Sequence, residues 1–332
     1  MGRIRFGIGH DFRNLDPARR SWSEVYRQGI ERVAYADQLG YDYMFIGEHH
    51  FTEDGHAPSL FPIFASIAAV TTHIRLNTYV FLLPLHHPLN VAEDVIALDV
   101  LSDGRMELGV GLGYRSEEFD AFGIDRHQRG SIMDESCEIL LKAWTEQGWS
   151  FHGRHFTIDD VTLVPGAVQR PHPRLWISAR NERAARRAAR FRAPLMIAPA
   201  PYTQDPVRVY AAYAQALADD GEDLASYDVM GSFNVHVLES GERPSGGGGN
   251  EHRYQQYIDW YTKDGDLPDD ATRISSPPED LQRHIGVTGE APACVEAIEN
   301  LLAQVPFTTL MVGGLGKAQL ERFAAAVATE FK

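Results

Sequence analysis

Glu48, His49 and His50 stand in a row in the stretch FIGEHHFTEDG, directly after the apolar run YDYMFIG. A carboxylate beside two imidazoles can hold or move protons. Imidazole titrates near pH 6.5, and a neighbouring carboxylate fixes which ring nitrogen carries the proton. The same residue types also suit a charge cluster on a solvated loop, so their place in the fold must separate the two readings. Three more histidines, His10 and the pair His86–His87 in LPLHHPLN, admit a metal centre. A catalytic metal in an α/β barrel draws His and Asp ligands from several strand ends. Here one such end is LGVGLGY and another is VGGLG, neither with a carboxylate, so no metal is expected.

The elements around these residues alternate strand and helix. Residues 3–9 and 41–47 read as strands, with a helix over 22–40 between them stopped by Gly40. A helix near 58–70, a strand over 74–83 and a helix opened by Pro88 follow. Then come a strand over 105–113 and a long helix near 130–147. A proline-marked connector at 148–173 leads to a strand at 174–179, a helix at 181–191, a strand at 194–199 and a helix at 204–219. Strand 228–238 precedes an interruption at 239–290 containing SGGGGN; helix 291–303, strand 308–314 and helix 316–330 close the chain.

About eight strand–helix pairs favour a closed (β/α)8 TIM barrel over an open sheet. The expectation is one domain over 1–332, with 239–290 inserted before the last βα unit as a possible lid or a plain surface loop. Chemistry in such barrels sits at the C-terminal strand ends, which is where Glu48–His50 fall.

Two further segments lie at strand ends. In LGVGLGY, Gly109, Gly111 and Gly113 alternate, which is not dinucleotide-binding spacing; a flat ligand near the backbone or ordinary packing would each call for small residues. In SARNERAARRAAR, Asn181 can cap a helix whose free N–H groups attract anions, with Arg180 and Arg183 adding charge and Glu182 opposing it. A plain capped helix fits that segment equally well. Asp99 and Arg105, flanking the Asp103–Gly104 turn, read as a structural pair.

The chain has 332 residues, 44% of them hydrophobic and 23% charged, enough for a substantial core. A net charge of −15 disfavours nucleic acid as a partner. No apolar run reaches the roughly 18 residues a membrane span needs. Cys137 and Cys294, the only cysteines, fall in helical patterns and read as buried thiols of a reducing compartment, so a cytoplasmic location is expected.

Taken together, EHHFTEDG, LLPLHHPLNVAEDVIALDVLSDGRMELGVGLGY, EEFDAFGID and RGSIMDE resemble the luciferase-like flavin-dependent monooxygenases, and EHHFTE resembles the α subunit of bacterial luciferase. The likeness runs from residue 1 to about 200 and returns in the last barrel unit. It implies a TIM barrel that takes reduced FMN and O2 as co-substrates, oxygenates a small or medium organic substrate, and receives its flavin from a separate reductase.

By motif position His49 is the implied base or hydrogen-bonding group, with Glu48 or His50 fixing its tautomer or supporting the loop. The resemblance also places a non-proline cis peptide at Tyr79–Val80 beneath the flavin ring. It assigns the phosphate to Tyr114, Ser178, Ala179, Arg180 and Asn181, with Arg129 as an addition. Gly111 and Leu112 stand where luciferase has a reactive cysteine and an arginine, which argues against light emission and leaves Arg180 or Arg129 to replace the lost phosphate contact. A homodimer through the second and third helices is implied. A deazaflavin-dependent hydride-transfer enzyme and a non-catalytic flavin-binding partner subunit are the competing readings.

Overall fold

The computed structural model describes residues 3–198, 203, 205–243, 256–257, 259–261, 263–264, 286–313 and 316–331. Eight parallel strands close a barrel: β1 (Arg5–Gly9), β2 (Tyr43–Ile46), β3 (Arg75–Thr78), β4 (Met106–Val110), β7 (Leu175–Ala179), β8 (Leu195–Ile197), β9 (Val229–Ser232) and β12 (Thr309–Met311). Around the ring the order is β1, β12, β9, β8, β7, β4, β3, β2. The expected (β/α)8 architecture is therefore present. The chain gathers into two compact units, one of 1–10, 35–44 and 177–332, the other of 11–34 and 45–176.

The second unit carries α2 (Leu60–Ala68), α3 (Pro88–Leu101), α4 (Ser116–Phe122), α5 (Arg129–Thr145) and a hairpin of β5 (Trp149–His152) with β6 (Thr157–Val161). Its strands are buried on both sides, as a parallel barrel requires: every residue of YMFI in β2 and MELGV in β4 is buried. Pro88 opens α3 as expected, behind His87, whose side chain caps Leu89 N–H.

Three expectations for this unit change. Strand 74–83 stops at Thr78; a cis peptide follows at Tyr79–Val80, and Phe81 alone bridges back to Val110. The connector 148–173 contains the β5–β6 hairpin, whose strands are short and mostly polar and so carry little apolar signal. Asp99 and Arg105 are structural, but they do not pair with each other. Asp99 accepts from the backbone of Val168 and Gln169, while Arg105 binds the carbonyls of Ala68, Thr71 and Ile74 at the end of α2.

In the other unit, α6 (Glu182–Arg190), α7 (Pro206–Asp219), α8 (Ala291–Gln304) and α9 (Lys317–Ala326) accompany their strands. The run 228–238, read as one strand, is two. β9 belongs to the barrel, whereas β10 (Asn234–Leu238) pairs in parallel with β11 (Gly286–Glu290). Phe233 stands between the two, its N–H still bonded to the Met311 carbonyl of β12. Most of the interruption expected at 239–290, namely residues 244–255, 258, 262 and 265–285, lies outside the described residues. Cys137 and Cys294 are buried and unbridged, and among the described residues no helix is long and apolar enough to cross a membrane.

Candidate active site

Glu48, His49 and His50 leave β2 as buried residues, with 2%, 8% and 8% of their surface exposed, which sets aside a solvated charge cluster. The segment that holds them is wedged against the cis peptide. Tyr79 N–H bonds to Ile46 O at 2.7 Å, Glu48 N–H to Val80 O at 3.1 Å, and Phe81 N–H to Gly109 O at 2.8 Å, so residues 79–81 bridge the ends of β2 and β4.

Glycines make that approach possible. A Cβ on Gly47 would lie 2.6 Å from the Tyr79 carbonyl oxygen, and a Cβ on Gly111 would run into the Val80 side chain. Gly113, at φ +72°, lies against the Phe119 ring. In LGVGLGY, Gly111 and Gly113 thus make packing contacts, with Val80 and Phe119.

Glu48 does not reach toward His49 for its hydrogen bonds. Its Oε1 accepts from His50 Nε2 at 2.7 Å and His86 Nε2 at 2.6 Å, and its Oε2 accepts from Leu82 N–H at 2.6 Å. Burial alone would raise this carboxyl, but the hydrogen bonds from His50 and His86 prevail and hold it down at about 2. His86 stacks on Phe81, ring centroids 4.3 Å apart, and His50 sits edge-on to Phe122 at 4.9 Å.

The three ligand-type atoms of Glu48, His50 and His86 lie within 4.8 Å of one another. The two histidine contacts with Glu48 are shorter than the roughly 3.0–3.4 Å that separates donors sharing an ion at about 2.1 Å. They are hydrogen bonds, and the trio is a buried clamp holding the 48–50 segment to the loop at 82–86.

His49 is served from elsewhere. Its Nδ1 lies 3.1 Å from Oε1 of Glu118, a fully buried residue on α4. That oxygen also accepts from His50 N–H at 2.9 Å and Arg115 Nη1 at 3.1 Å. Arg115 further binds the His50 carbonyl at 2.7 Å and Glu117 at 2.7 Å. Burial works to raise the Glu118 carboxyl, and the His49 hydrogen bond with the Arg115 charge lowers it on balance below the ordinary range. The rings of His56 and Tyr114 stand edge-on to His49 at 4.8 and 5.7 Å. Of the two expected parts for Glu48 and His50, fixing the His49 tautomer or supporting the loop, their mutual contact and those of Glu48 with His86 and Leu82 match the second, and the carboxylate oxygen beside His49 Nδ1 is that of Glu118.

Sequence reasoning missed Glu118 and its helix. The cue was a pair of acids, Glu117 and Glu118, in a first turn closed seven residues later by Gly123 at φ +70°.

The residues expected at the phosphate divide between the two units. In the second unit Tyr114 is buried and faces His49, while Arg129, half-buried, begins α5. In the other, Ser178 and Ala179 end β7, paired with Met196 and Ile197. Asn181 caps α6 as expected, its Oδ1 accepting from Ala184 N–H at 3.0 Å. Arg180 sets its guanidinium over the ring of Tyr261, 4.1 Å from the centroid.

The model of the luciferase-like monooxygenase family matches residues 4–299. The chain belongs to that family. It is 24% identical over 226 residues to the oxygenase component of the flavin-dependent trigonelline monooxygenase of Acinetobacter baylyi, covering 68% of this chain and 62% of that one. Across the curated relatives it matches, the chain spans about half to two thirds of their length.

Among solved structures, the monooxygenase RslO1 from Streptomyces bottropensis superposes with a TM-score of 0.85 at 25% identity, covering 99% of this chain and 100% of that one. The oxygenating constituent of the Pseudomonas putida 3,6-diketocamphane monooxygenase, a type II Baeyer–Villiger enzyme solved with FMN, superposes at 0.83 with 19% identity over 99% of each chain, a likeness of fold.

Proposed function

We propose that this member of the luciferase-like monooxygenase family takes reduced FMN from a separate reductase and uses O2 to oxygenate a small or medium organic substrate. The observation that carries the reading is a buried imidazole, His49, held at the end of a barrel strand beside the Tyr79–Val80 cis segment. The chain's residues suit a flat heteroaromatic ring. Tyr79 and Val80 are half-buried, and the polar groups flanking their shared peptide are already taken by Ile46, Glu48 and Gly109. A ring lying on them strands none of those groups.

Bound in reduced form, the flavin supplies the electrons that activate O2. The protein's part is to orient, exclude water and move protons. His49 does the last through Nε2, its Nδ1 being engaged by Glu118. Tyr114, Arg129 and Ser178–Asn181 stay proposed for the phosphate, each to be tested by its own substitution. The reading predicts that the purified protein binds reduced FMN more tightly than a reduced deazaflavin. With a generic reductase and a panel of ketones, aldehydes and heteroaromatics, it should form product carrying one 18O atom from 18O2. Preference for the deazaflavin, with no labelled product, would overturn it in favour of hydride transfer.

A homodimer in the cytoplasm completes the proposal. Val70 after α2 and Val100 and Leu101 on α3 are exposed apolar residues that a second copy would cover. Sedimentation equilibrium is expected to give twice the 37.1 kDa chain mass; a single-chain mass at micromolar protein would exclude the dimer.

A further inference from the structure

We infer that Glu118 is the positioning residue that fixes the tautomer of His49 and sets the ring's affinity for a proton. The inference rests on the reading of His49 as the site's acid–base group, but its test does not need turnover.

Three observations carry it. The His49 Nδ1 to Glu118 Oε1 contact, at 3.1 Å, places a carboxylate on one side of the ring, which makes Nδ1 the protonated nitrogen and leaves Nε2 to exchange protons. The carboxylate is itself fixed: Oε1 takes His50 N–H and Arg115 Nη1 as well, and the Arg115 side chain is only 4% exposed. Donors converging on a buried carboxylate hold its geometry and favour its charged form. Lastly, the three groups meet the same oxygen, Oε1, while among the described residues none meets Oε2, so the contacts of Glu118 converge on the oxygen beside His49.

The charges around the ring agree with this assignment. From α4 and the residue before it come Glu118 and Arg115, with Glu117 on the far side of Arg115. From the ring's own loop comes His56, and from the end of β4 comes Tyr114. Glu48, one residue away, is engaged by His50 and His86. Glu118 is thus the carboxylate at the Nδ1 atom of the imidazole. When Nε2 gains a proton, the new positive charge sits on the ring against the Glu118 carboxylate. The Nδ1 proton stays on His49, and Glu118 gains none.

The test is 15N NMR of protein labelled in its histidine rings, with His49 assigned by comparison with His49→Gln. In the unsubstituted protein the neutral ring is expected to show Nδ1 protonated; a ring protonated at Nε2 instead would overturn the inference without any Glu118 variant. Glu118→Gln keeps an oxygen for Nδ1–H but removes the charge. It is expected to lower the His49 titration midpoint by about one pH unit or more, a tenfold change in proton affinity. Glu118→Asp should recover part of that shift. An unchanged midpoint in a folded Glu118→Gln protein would refute the role. The pH profile of turnover separates this result from the function itself. If the NMR midpoint moves and the rate profile does not, Glu118 positions His49 but His49 is not the group that limits turnover.

Discussion

Turnover in His49→Ala is expected to fall by about a hundredfold to ten-thousandfold, the usual cost of removing a positioned acid–base group. Stability should change little. Glu118 Oε1 keeps His50 N–H and Arg115 as donors after the ring is gone, and the lost side chain sits at a strand end rather than deep among apolar residues. Rate and melting temperature measured on one preparation check both halves. A variant that folds normally and turns over at close to the original rate removes His49 from the chemistry, whatever the flavin is shown to do.

Glu48→Ala is expected to act in the opposite sense, on the fold before the rate. The change leaves three donors, His50 Nε2, His86 Nε2 and Leu82 N–H, without their shared acceptor. At roughly 1–3 kcal/mol for each buried group left unmade, partly relieved because His86 can reach water, the loss comes to roughly 3–5 kcal/mol. Glu48→Gln keeps an accepting oxygen but turns an NH2 toward a donor, so it should lose about half as much.

The pH dependence has a definite sign. The folded protein holds Glu48 at about 2 against an ordinary value near 4.5, so folding favours the deprotonated form. Its contribution is complete above about 4.5 and fades as the pH falls from there toward 2. Chemical unfolding of the parent and Glu48→Ala across that acid range should show the two stabilities converging. A constant gap between them would place the stabilisation somewhere other than the ionised carboxyl.

How much of this could be read in the residue string depends on distance along the chain. The barrel was legible because each strand–helix pair writes its own periodicity and caps, as with Pro88 before α3 and Asn181 before α6. The Glu-His-His run marked a candidate centre through residue type and its place after a strand. Its wiring was not legible. Glu118 meets His49 across 69 residues and His86 meets Glu48 across 38, and no local pattern encodes which carboxylate faces which ring once the barrel closes. The sequence offers Glu48 or His50 to fix the His49 tautomer or support the loop, without choosing, because consecutive residues leaving a strand point different ways. The same limit applies to Arg180: its place over the Tyr261 ring depends on a residue 81 positions away.

The parallel pairing of β10 with β11 bears on how this barrel accommodates additions. Leu238 and Glu290 are register partners, as are Asn234 and Gly286, so the long excursion leaves from one end of a two-stranded ladder and re-enters at the other. Both feet of the detour are bolted to the same five-residue frame, and the closure entropy of a flexible chain grows only with the logarithm of its length. Segments of very different size could therefore be grafted between those feet at a cost of about 0.6 kcal/mol per doubling, which makes this frame a natural place for relatives to diverge in length.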